Sequence, residues 1–234
     1  MVADEPPIFK PLFHLLAEIH WKGLSAMVRR INTYLARKRY DRAAPFYDLI
    51  ESPMEWLLFS TWRTRLGKRI VGNQVLEAGV GTGKNLPYQP PGMRVTAVDL
   101  SIRMLERSRG RASALGLETE LAEMDVQNLA FKDHVFDTVF STFLFCSVPD
   151  PIMGLRELRR VCKPTGKLLL LEHVRPGNHL LRSLFNLLNP IVVRITGANI
   201  NRRTVENIRR AGWRIRVKEK LLSDIVLWIE AEPQ

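Results

Sequence analysis

Apolar residues in this chain form two kinds of pattern: short continuous runs, and longer stretches in which they recur every three or four positions. Continuous runs bounded by glycine, proline or acidic residues are typical of strands that are buried on both faces of a parallel sheet. Strands of this kind are predicted at 75–78, 95–98, 136–143 and 168–174, and a further short strand is predicted at 121–126. Residues 152–161 instead follow helical spacing. The alternation predicts an α/β fold in which helices pack on a sheet.

The C-terminal segment predicts one further helix and two further strands. A helical pattern from about Arg202 to Arg210 ends at Gly212, because glycine readily takes the left-handed conformation found after helices. Strands are expected near Arg214–Glu219 and Ile225–Ala231. These elements would complete the sheet.

The N-terminal segment, residues 1–39, has a different pattern. From Ile8 to Leu35 apolar residues recur mostly every three or four positions, which predicts a pair of amphipathic helices. Basic residues interrupt this stripe too often for a membrane-spanning helix, and acidic residues near the start are not typical of a signal peptide. Two interpretations remain open: a segment on a membrane surface, with Trp21 at headgroup depth, or a lid packed on the domain that follows; one segment could also serve both roles.

A glycine-rich turn follows the first predicted strand and indicates a nucleoside site. Gly79, Gly81 and Gly83 allow a sharp turn and a close approach of backbone N–H groups to a ligand, and Asp99 after the next strand can accept ribose hydroxyls. A dinucleotide fingerprint would place its third glycine where Lys84 stands. A site for a single nucleoside is therefore favoured over one for a pyrophosphate.

The run from Glu77 to Gly83, E-x-G-x-G-x-G, resembles motif I of the class I S-adenosylmethionine-dependent methyltransferases. Asp125 falls where this family places an acid for the adenine amino group, although a helix cap is an alternative role. The turn Lys163–Lys167 resembles the family's L-K-P-G-G turn, with Thr165 in place of the first glycine. The resemblance covers about Tyr40 to Glu232.

This resemblance implies a fold, a cofactor and a set of binding residues. The fold would be Rossmann-like, with a seven-stranded, mostly parallel sheet, an antiparallel last strand and flanking helices. Residues 40–234 would form the methyltransferase domain, and S-adenosylmethionine would lie across the carboxyl ends of the first strands. The implied cofactor-binding residues are Tyr40, Glu77, Ala78, Gly79, Gly81, Gly83, Asp99, Leu100, Met104, Asp125, Val126 and Thr142.

The segment from Tyr40 to Asp48 resembles the Y-D-x-x-A-x-x-Y-D signature of quinone-biosynthesis C-methyltransferases and bacterial phospholipid N-methyltransferases. In those relatives the segment covers the cofactor, which implies that Tyr40 and Tyr47 pack over it; a hydrophobic staple for the helix is the alternative. The segments Leu144–Val148 and Glu172–Val174, with Asn189-Pro190, look like a group of alkyl-thiol methyltransferases. All three classes imply a lipophilic acceptor.

Methyl transfer from a sulfonium is an in-line displacement, so alignment in a water-free pocket is the main requirement and no metal is needed. An amine or thiol acceptor must lose a proton, and Tyr47, His173 and Glu172 are the candidate bases. His173 is preferred, with a structural histidine as the alternative.

Arginines among leucines in residues 175–203 suit an amphiphile, because arginine matches phosphate oxygens. Arg175, Arg202 and Arg203 are therefore predicted to bind the headgroup of a phospholipid acceptor, with phosphatidylethanolamine as the expected lipid; simple surface charge is the alternative.

The formal net charge of +11 requires an anionic partner. A membrane with anionic lipid fits better than nucleic acid, because no recognisable nucleic-acid module is present. The two cysteines indicate a reducing compartment, so we expect a cytoplasmic protein peripherally associated with the inner face of the membrane. A nucleic-acid methyltransferase and a non-catalytic scaffold that retains the fold remain alternatives, and the sequence makes no prediction of oligomeric state.

Overall fold

The computed structural model describes the backbone of residues 9–234, and their side chains except those of residues 9–22, 51, 195 and 196. Within the described residues seven strands form one sheet, in the order β3-β2-β1-β4-β5-β7-β6. The strands are β1 Gln74–Ala78, β2 Arg94–Asp99, β3 Glu120–Glu123, β4 Phe136–Thr142, β5 Cys162–His173, β6 Trp213–Leu222 and β7 Val226–Pro233. β1 to β5 pair in parallel, and β7 is antiparallel to both β5 and β6. The predicted mostly parallel seven-stranded sheet with an antiparallel last strand is confirmed.

Helices flank this sheet. They are α1 Phe9–Met54, α2 Ser60–Arg69, α3 Ile102–Ala114, α4 Pro151–Val161, α5 His179–Thr196 and α6 Thr204–Arg210, with a π-helical turn at Glu55–Phe59 between α1 and α2 and a 3-10 turn at Leu86–Tyr88. No helix within residues 9–234 is both long enough and apolar enough to cross a bilayer.

The strand order fixes where a ligand can bind. From β1 the chain first adds β2 and β3 on one side and then returns to add β4 on the other side. The loops after β1 and β4 therefore leave the sheet in opposite directions, and a crevice opens between them at the carboxyl ends of the strands.

The core explains the continuous apolar runs. Leu168, Leu169, Leu170 and Leu171 in β5 are all fully buried, because helices cover both faces of the central strands. On one face α4 contributes Leu155, and the backbone carbonyl of Leu155 accepts a hydrogen bond of 2.9 Å from the indole N–H of buried Trp213. The apolar residues of the helical pattern and those of the strand pattern thus pack against each other in the same core.

The predicted N-terminal helix pair is wrong, because α1 is one continuous helix that runs through position 39 without a break. The sequence contains Gly23 but no cluster of turn-forming residues, and a lone glycine costs only about 1 kcal/mol in a helix interior. Residues 1–8 and the side chains of 9–22, including Trp21, lie outside the described residues.

A buried carboxyl shapes the loop after β4. Glu172, near the end of β5, is fully buried, and its Oε1 accepts hydrogen bonds from the backbone N–H groups of Leu144 at 3.0 Å and Phe145 at 3.1 Å. Ser141 donates to the same oxygen at 3.3 Å. Burial raises the pKa of Glu172 from its usual 4.5 to about 7.

This burial predicts a pH-dependent contribution to stability. Glutamate in the unfolded chain loses its proton near its usual pKa, whereas folded Glu172 retains it until about pH 7. The stabilisation that protonated Glu172 contributes to the folded state is therefore present at low pH and is lost as pH rises between these two pKa values. Glu172→Gln keeps the accepting oxygen but cannot titrate. We therefore expect the unfolding free energy of Glu172→Gln minus that of the wild type to increase by at least about 1 kcal/mol from about pH 5 to about pH 8.

Urea unfolding at both pH values measures this difference. The matched control is Glu118→Gln, because Glu118 is exposed and its substitution should leave the pH dependence of the wild type unchanged. Parallel curves for the wild type and Glu172→Gln would contradict the assignment.

Candidate active site

A cavity lies in the crevice at the carboxyl ends of β1, β2 and β4, and α1 covers it. Of the residues that the sequence predicted to bind the cofactor, nine line this cavity: Tyr40, Gly79, Gly81, Asp99, Leu100, Met104, Asp125, Val126 and Thr142. The remaining three, Glu77, Ala78 and Gly83, lie behind it in β1 and the glycine turn. The topology thus brings together residues that are far apart in the sequence.

The glycine turn approaches its neighbours too closely for other residues. Gly79 has a φ of 72°, and a Cβ atom there would lie 2.6 Å from Leu144 Cδ1. Gly83 has a φ of 82°, and its Cβ would lie 2.6 Å from Leu86 Cδ1. A Cβ on Gly81 would meet nothing within 4 Å, so this glycine faces open space in the cavity.

Asp99 holds the turn in place. Its Oδ2 accepts a hydrogen bond of 2.8 Å from the N–H of Gly81, and its Oδ1 accepts one of 2.9 Å from the N–H of Ser101. Burial raises the pKa of Asp99 to about 6. Each carboxylate oxygen has a second lone pair, so the fixed carboxylate can also accept hydroxyl groups of a ligand.

Asp125 lies at the adjacent end of the cavity. Its carboxylate accepts hydrogen bonds from the backbone N–H and side chain of Gln127, at 2.9 and 3.0 Å, and from the Thr33 hydroxyl at 3.3 Å. It begins no helix, so the alternative role of a helix cap has no counterpart in the structure. Thr33 occupies one accepting position that an amino group could take.

Helix α1 is fastened over the cavity by polar contacts along its length. Asp41 accepts from the Ser101 hydroxyl at 2.6 Å, Asp48 accepts from the Thr82 hydroxyl at 2.6 Å, and the Tyr40 hydroxyl is hydrogen bonded to Ser147. Thr33 adds the contact to Asp125. Each partner lies in a loop or helix start at the carboxyl edge of the sheet, so α1 closes the site from above.

A buried polar network that the sequence did not reveal supports the site from below. Arg63 in α2 is buried and donates to Asn85 at 2.6 Å and to Thr142 at 2.9 Å. Asn85 in turn donates to Glu77 at 2.7 Å, and burial raises the pKa of Glu77 to about 7. Nothing in the spacing of α2 distinguishes Arg63 from its exposed basic neighbours. The network fixes Glu77 and Thr142 relative to each other.

The fold does not bring all three candidate bases into the cavity. Tyr47 lines the cavity, whereas Glu172 and His173 do not. Glu172 is enclosed behind the loop that it holds, and His173, the next residue of β5, points to the opposite face of the sheet. There the His173 ring stacks on Phe185 with centroids 5.9 Å apart, and burial lowers the pKa of the imidazole.

The three predicted substrate arginines lie in a second cavity of about 700 Å³, which shares no lining residue with the first. We call it the basic cavity, because its walls contain Arg175, Arg182, Arg202, Arg203, Arg209, Arg210, Lys218 and Lys220. Arg202 lies between the two cavities: it lines the second and donates at 2.8 Å to the carbonyl of Val148, which lines the first. The described residues contain no cluster of histidine, cysteine and acidic side chains suited to a metal ion.

Sequence comparisons relate the region around the site to known enzymes. Residues 76–170 match the family model described as a methyltransferase domain. A phosphatidylethanolamine N-methyltransferase of Cereibacter sphaeroides is 42% identical over 104 residues, which are 44% of this chain and 51% of that protein. A demethylmenaquinone methyltransferase of Thermotoga maritima is 33% identical over 148 residues, 61% of this chain and 63% of that protein. The chain thus spans between about half and two thirds of these relatives.

Solved structures agree on the fold. A possible histamine N-methyltransferase from Thermotoga maritima superposes with a TM-score of 0.65 at 20% identity, covering 84% of this chain and 99% of that one. A putative methyltransferase in complex with the Haloferax volcanii Trm112 methyltransferase activator superposes with a TM-score of 0.67 at 17% identity, covering 85% of this chain and 97% of that one. At these identities the likeness concerns the fold alone.

The matched stretch and the cavity coincide. Residues 76–170 include the glycine turn, Asp99, Asp125 and the loop after β4, which together form most of the cavity wall. The resemblance found in the sequence is therefore confirmed for this stretch: residues 76–170 match a methyltransferase domain.

Proposed function

We propose that this protein transfers a methyl group from S-adenosylmethionine to a lipophilic acceptor at a membrane surface, and that the acceptor is the amino headgroup of phosphatidylethanolamine. The observation that carries the proposal is the cavity at the carboxyl edge, where a nucleoside-binding turn and two carboxylates lie beneath α1. The cytoplasmic, peripheral location on the inner face of the membrane is part of the same proposal.

The residues of the cavity suit the two ends of an adenosine. Asp99 is fixed by two backbone N–H groups and retains lone pairs for ribose hydroxyls. Asp125 would accept from the adenine amino group in place of Thr33, which is the weakest of its described donors by distance. The cofactor supplies a methyl group on a positively charged sulfur, which makes the carbon an acceptor for a nucleophile.

The chain itself would align the acceptor and exclude water. Tyr40 from α1 and Phe143 and Leu144 from the loop after β4 close the cavity with largely apolar surface. Burial raises the pKa of the Tyr40 hydroxyl, so this group stays protonated and positions rather than removes a proton. Among the predicted bases Tyr47 lies in the cavity, and we assign it the contact to the acceptor amine.

Three features support a membrane lipid as acceptor. A stretch of 104 residues is 42% identical to a phosphatidylethanolamine N-methyltransferase. The lid helix exposes Phe46, Leu49 and Ile50, and the turn that follows it exposes Trp56. Apolar side chains on a strongly basic protein favour contact with an anionic bilayer.

Methylation of a quinone precursor is the second candidate, because the similarity to demethylmenaquinone methyltransferases extends over a longer stretch. Both reactions use the same cofactor cavity and differ in the acceptor.

We expect the purified protein, incubated with labelled S-adenosylmethionine, to label the lipid extract of mixed micelles containing phosphatidylethanolamine. Matched micelles in which phosphatidylcholine replaces it should remain unlabelled, because their headgroup amine already carries three methyl groups. Label in demethylmenaquinone, an alkyl thiol or RNA, with none in phosphatidylethanolamine, would contradict the proposed acceptor and retain the cofactor site.

We expect Asp99→Asn to weaken the binding of S-adenosylhomocysteine at least about tenfold, because loss of a charged acceptor removes about 1.5 kcal/mol or more. Isothermal titration calorimetry measures this affinity, and circular dichroism checks that the fold is retained. The matched control is Glu118→Gln, which removes an exposed carboxylate that does not line the cavity. Equal affinities of the two variants would remove Asp99 from the cofactor site.

A further inference from the structure

Helix α5 presents an apolar face to solvent. Leu180, Leu187 and Ile191 are 82%, 74% and 59% exposed, and Leu184 and Leu188 lie beside them at spacings of three and four residues. We call these five residues the apolar face of α5. Phe185 and Val192, on the other side of the helix, are half-buried and face the domain. An amphipathic helix usually turns its apolar stripe inward, so this outward stripe indicates a further partner.

The start of α5 is fixed to the wall of the basic cavity. Arg182, on the inner side of α5, lines that cavity and donates to the carbonyl of Gly177 at 2.7 Å. Asp224, also in the wall, accepts from the N–H of Asn178 at 3.1 Å, and Asn178 in turn caps the helix at Leu180. The apolar face and the basic cavity are therefore adjacent parts of one surface.

The charge of the basic cavity favours an anion. Eight lysine and arginine side chains line it against two acids, Glu206 and Asp224. Such a concentration of one sign in a concave site attracts ligands of the opposite sign, and guanidinium groups match phosphate geometry.

Buried donors without partners indicate where the anion would bind. Thr204, only 1% exposed, has a hydroxyl oxygen without any hydrogen-bond partner, and the same holds for Nε of Arg175 and Nε of Arg202. All three residues line the basic cavity. Since buried polar groups are nearly always paired, three unpaired donors on residues that line one cavity favour an acceptor-rich ligand there.

We infer that the basic cavity binds the phosphate of an anionic phospholipid while the apolar face of α5 enters the same bilayer. The partner is thus a lipid surface, and the unpaired Oδ1 of Asp224 is the acceptor for a headgroup hydroxyl. The inference rests on the proposed function to the extent that the methyl acceptor lies in a bilayer. It assigns the arginines predicted to bind substrate to docking at a site separate from the methyl-transfer cavity.

Thr204→Val is the sharpest test, because it removes the unpaired hydroxyl and nearly preserves the shape of the side chain. Flotation with phosphatidylcholine vesicles that contain phosphatidylglycerol measures binding. We expect this variant to bind such vesicles about threefold to tenfold more weakly than the wild type. Its thermal stability should equal or exceed that of the wild type, because no protein hydrogen bond is lost. If Thr204 had a purely structural role, the substitution would not weaken vesicle binding while leaving thermal stability intact.

Charge and apolar contact are tested by paired variants. Arg209→Gln with Lys220→Gln should weaken binding to the same vesicles about tenfold or more, since each basic residue near an anionic surface adds to the attraction. The control is Arg109→Gln with Lys132→Gln, which removes the same charge from exposed positions outside the cavity.

Leu180→Ser with Leu187→Ser should weaken binding more than about tenfold, because two large apolar side chains lose their insertion. The control is Val71→Ser with Leu115→Ser, at exposed apolar positions outside α5.

The docking inference is overturned if Thr204→Val floats like the wild type and both double variants float like their controls, or if the wild type does not bind anionic vesicles. It is also overturned if Leu180→Ser with Leu187→Ser converts a dimer into a monomer without changing vesicle binding, since the apolar face then joins two copies of the chain. Methylation of phosphatidylethanolamine in mixed micelles is measured separately. Selective loss of flotation without any labelled lipid sustains docking and rejects the acceptor, whereas labelled lipid with unaffected flotation rejects docking alone.

Discussion

The carboxylate of Asp99 is the interaction on which the rest of the site depends. It accepts N–H groups from Gly81 after β1 and from Ser101 before α3, so one side chain joins two loops of the carboxyl edge. The Ser101 hydroxyl then donates to Asp41 of α1 and accepts from the N–H of Met104. One short chain of hydrogen bonds thus connects the glycine turn, the end of β2, the start of α3 and the covering helix α1.

Burial of acidic side chains recurs around this edge. Glu77, Asp99 and Glu172 each have a raised pKa because burial disfavours the charged form. Each also accepts hydrogen bonds that place a loop or an amide side chain at the cavity. The unfavourable burial is offset by the apolar core beneath the sheet, and the result is a rigid floor and wall for a ligand.

Sequence patterns predicted the sheet well because periodicity and turn residues report local backbone preference and burial together. The strand expected at 75–78 is observed as Gln74–Ala78, and the glycine turn leads into the cavity as its spacing indicated. Patterns failed where long-range packing decides. A single helix replaced the expected pair because no strong breaker stands between the first turn, where Pro11 is tolerated, and the prolines Pro45 and Pro53.

The sequence patterns also did not predict the directions in which several site side chains point. Glu172 and His173 end the same strand, but alternation sends one into the loop behind the cavity and the other toward α5. Arg63 gave no signal because its burial depends on Asn85 and Thr142, which reach it from distant parts of the chain. The apolar stripe of α5 was readable, but its exposure depends on which side of the helix packs against the domain.

The central claim is that the cofactor lies beneath α1, between Asp99 and Asp125. Hydrogen–deuterium exchange with and without S-adenosylhomocysteine tests it most directly. The account predicts slower amide exchange both in residues 99–104 and in residues 33–48 of α1, because the ligand contacts the first and holds the second closed. Protection of residues 99–104 with unchanged exchange in α1 would contradict the covering role of α1, and no protection in either segment would contradict the site itself.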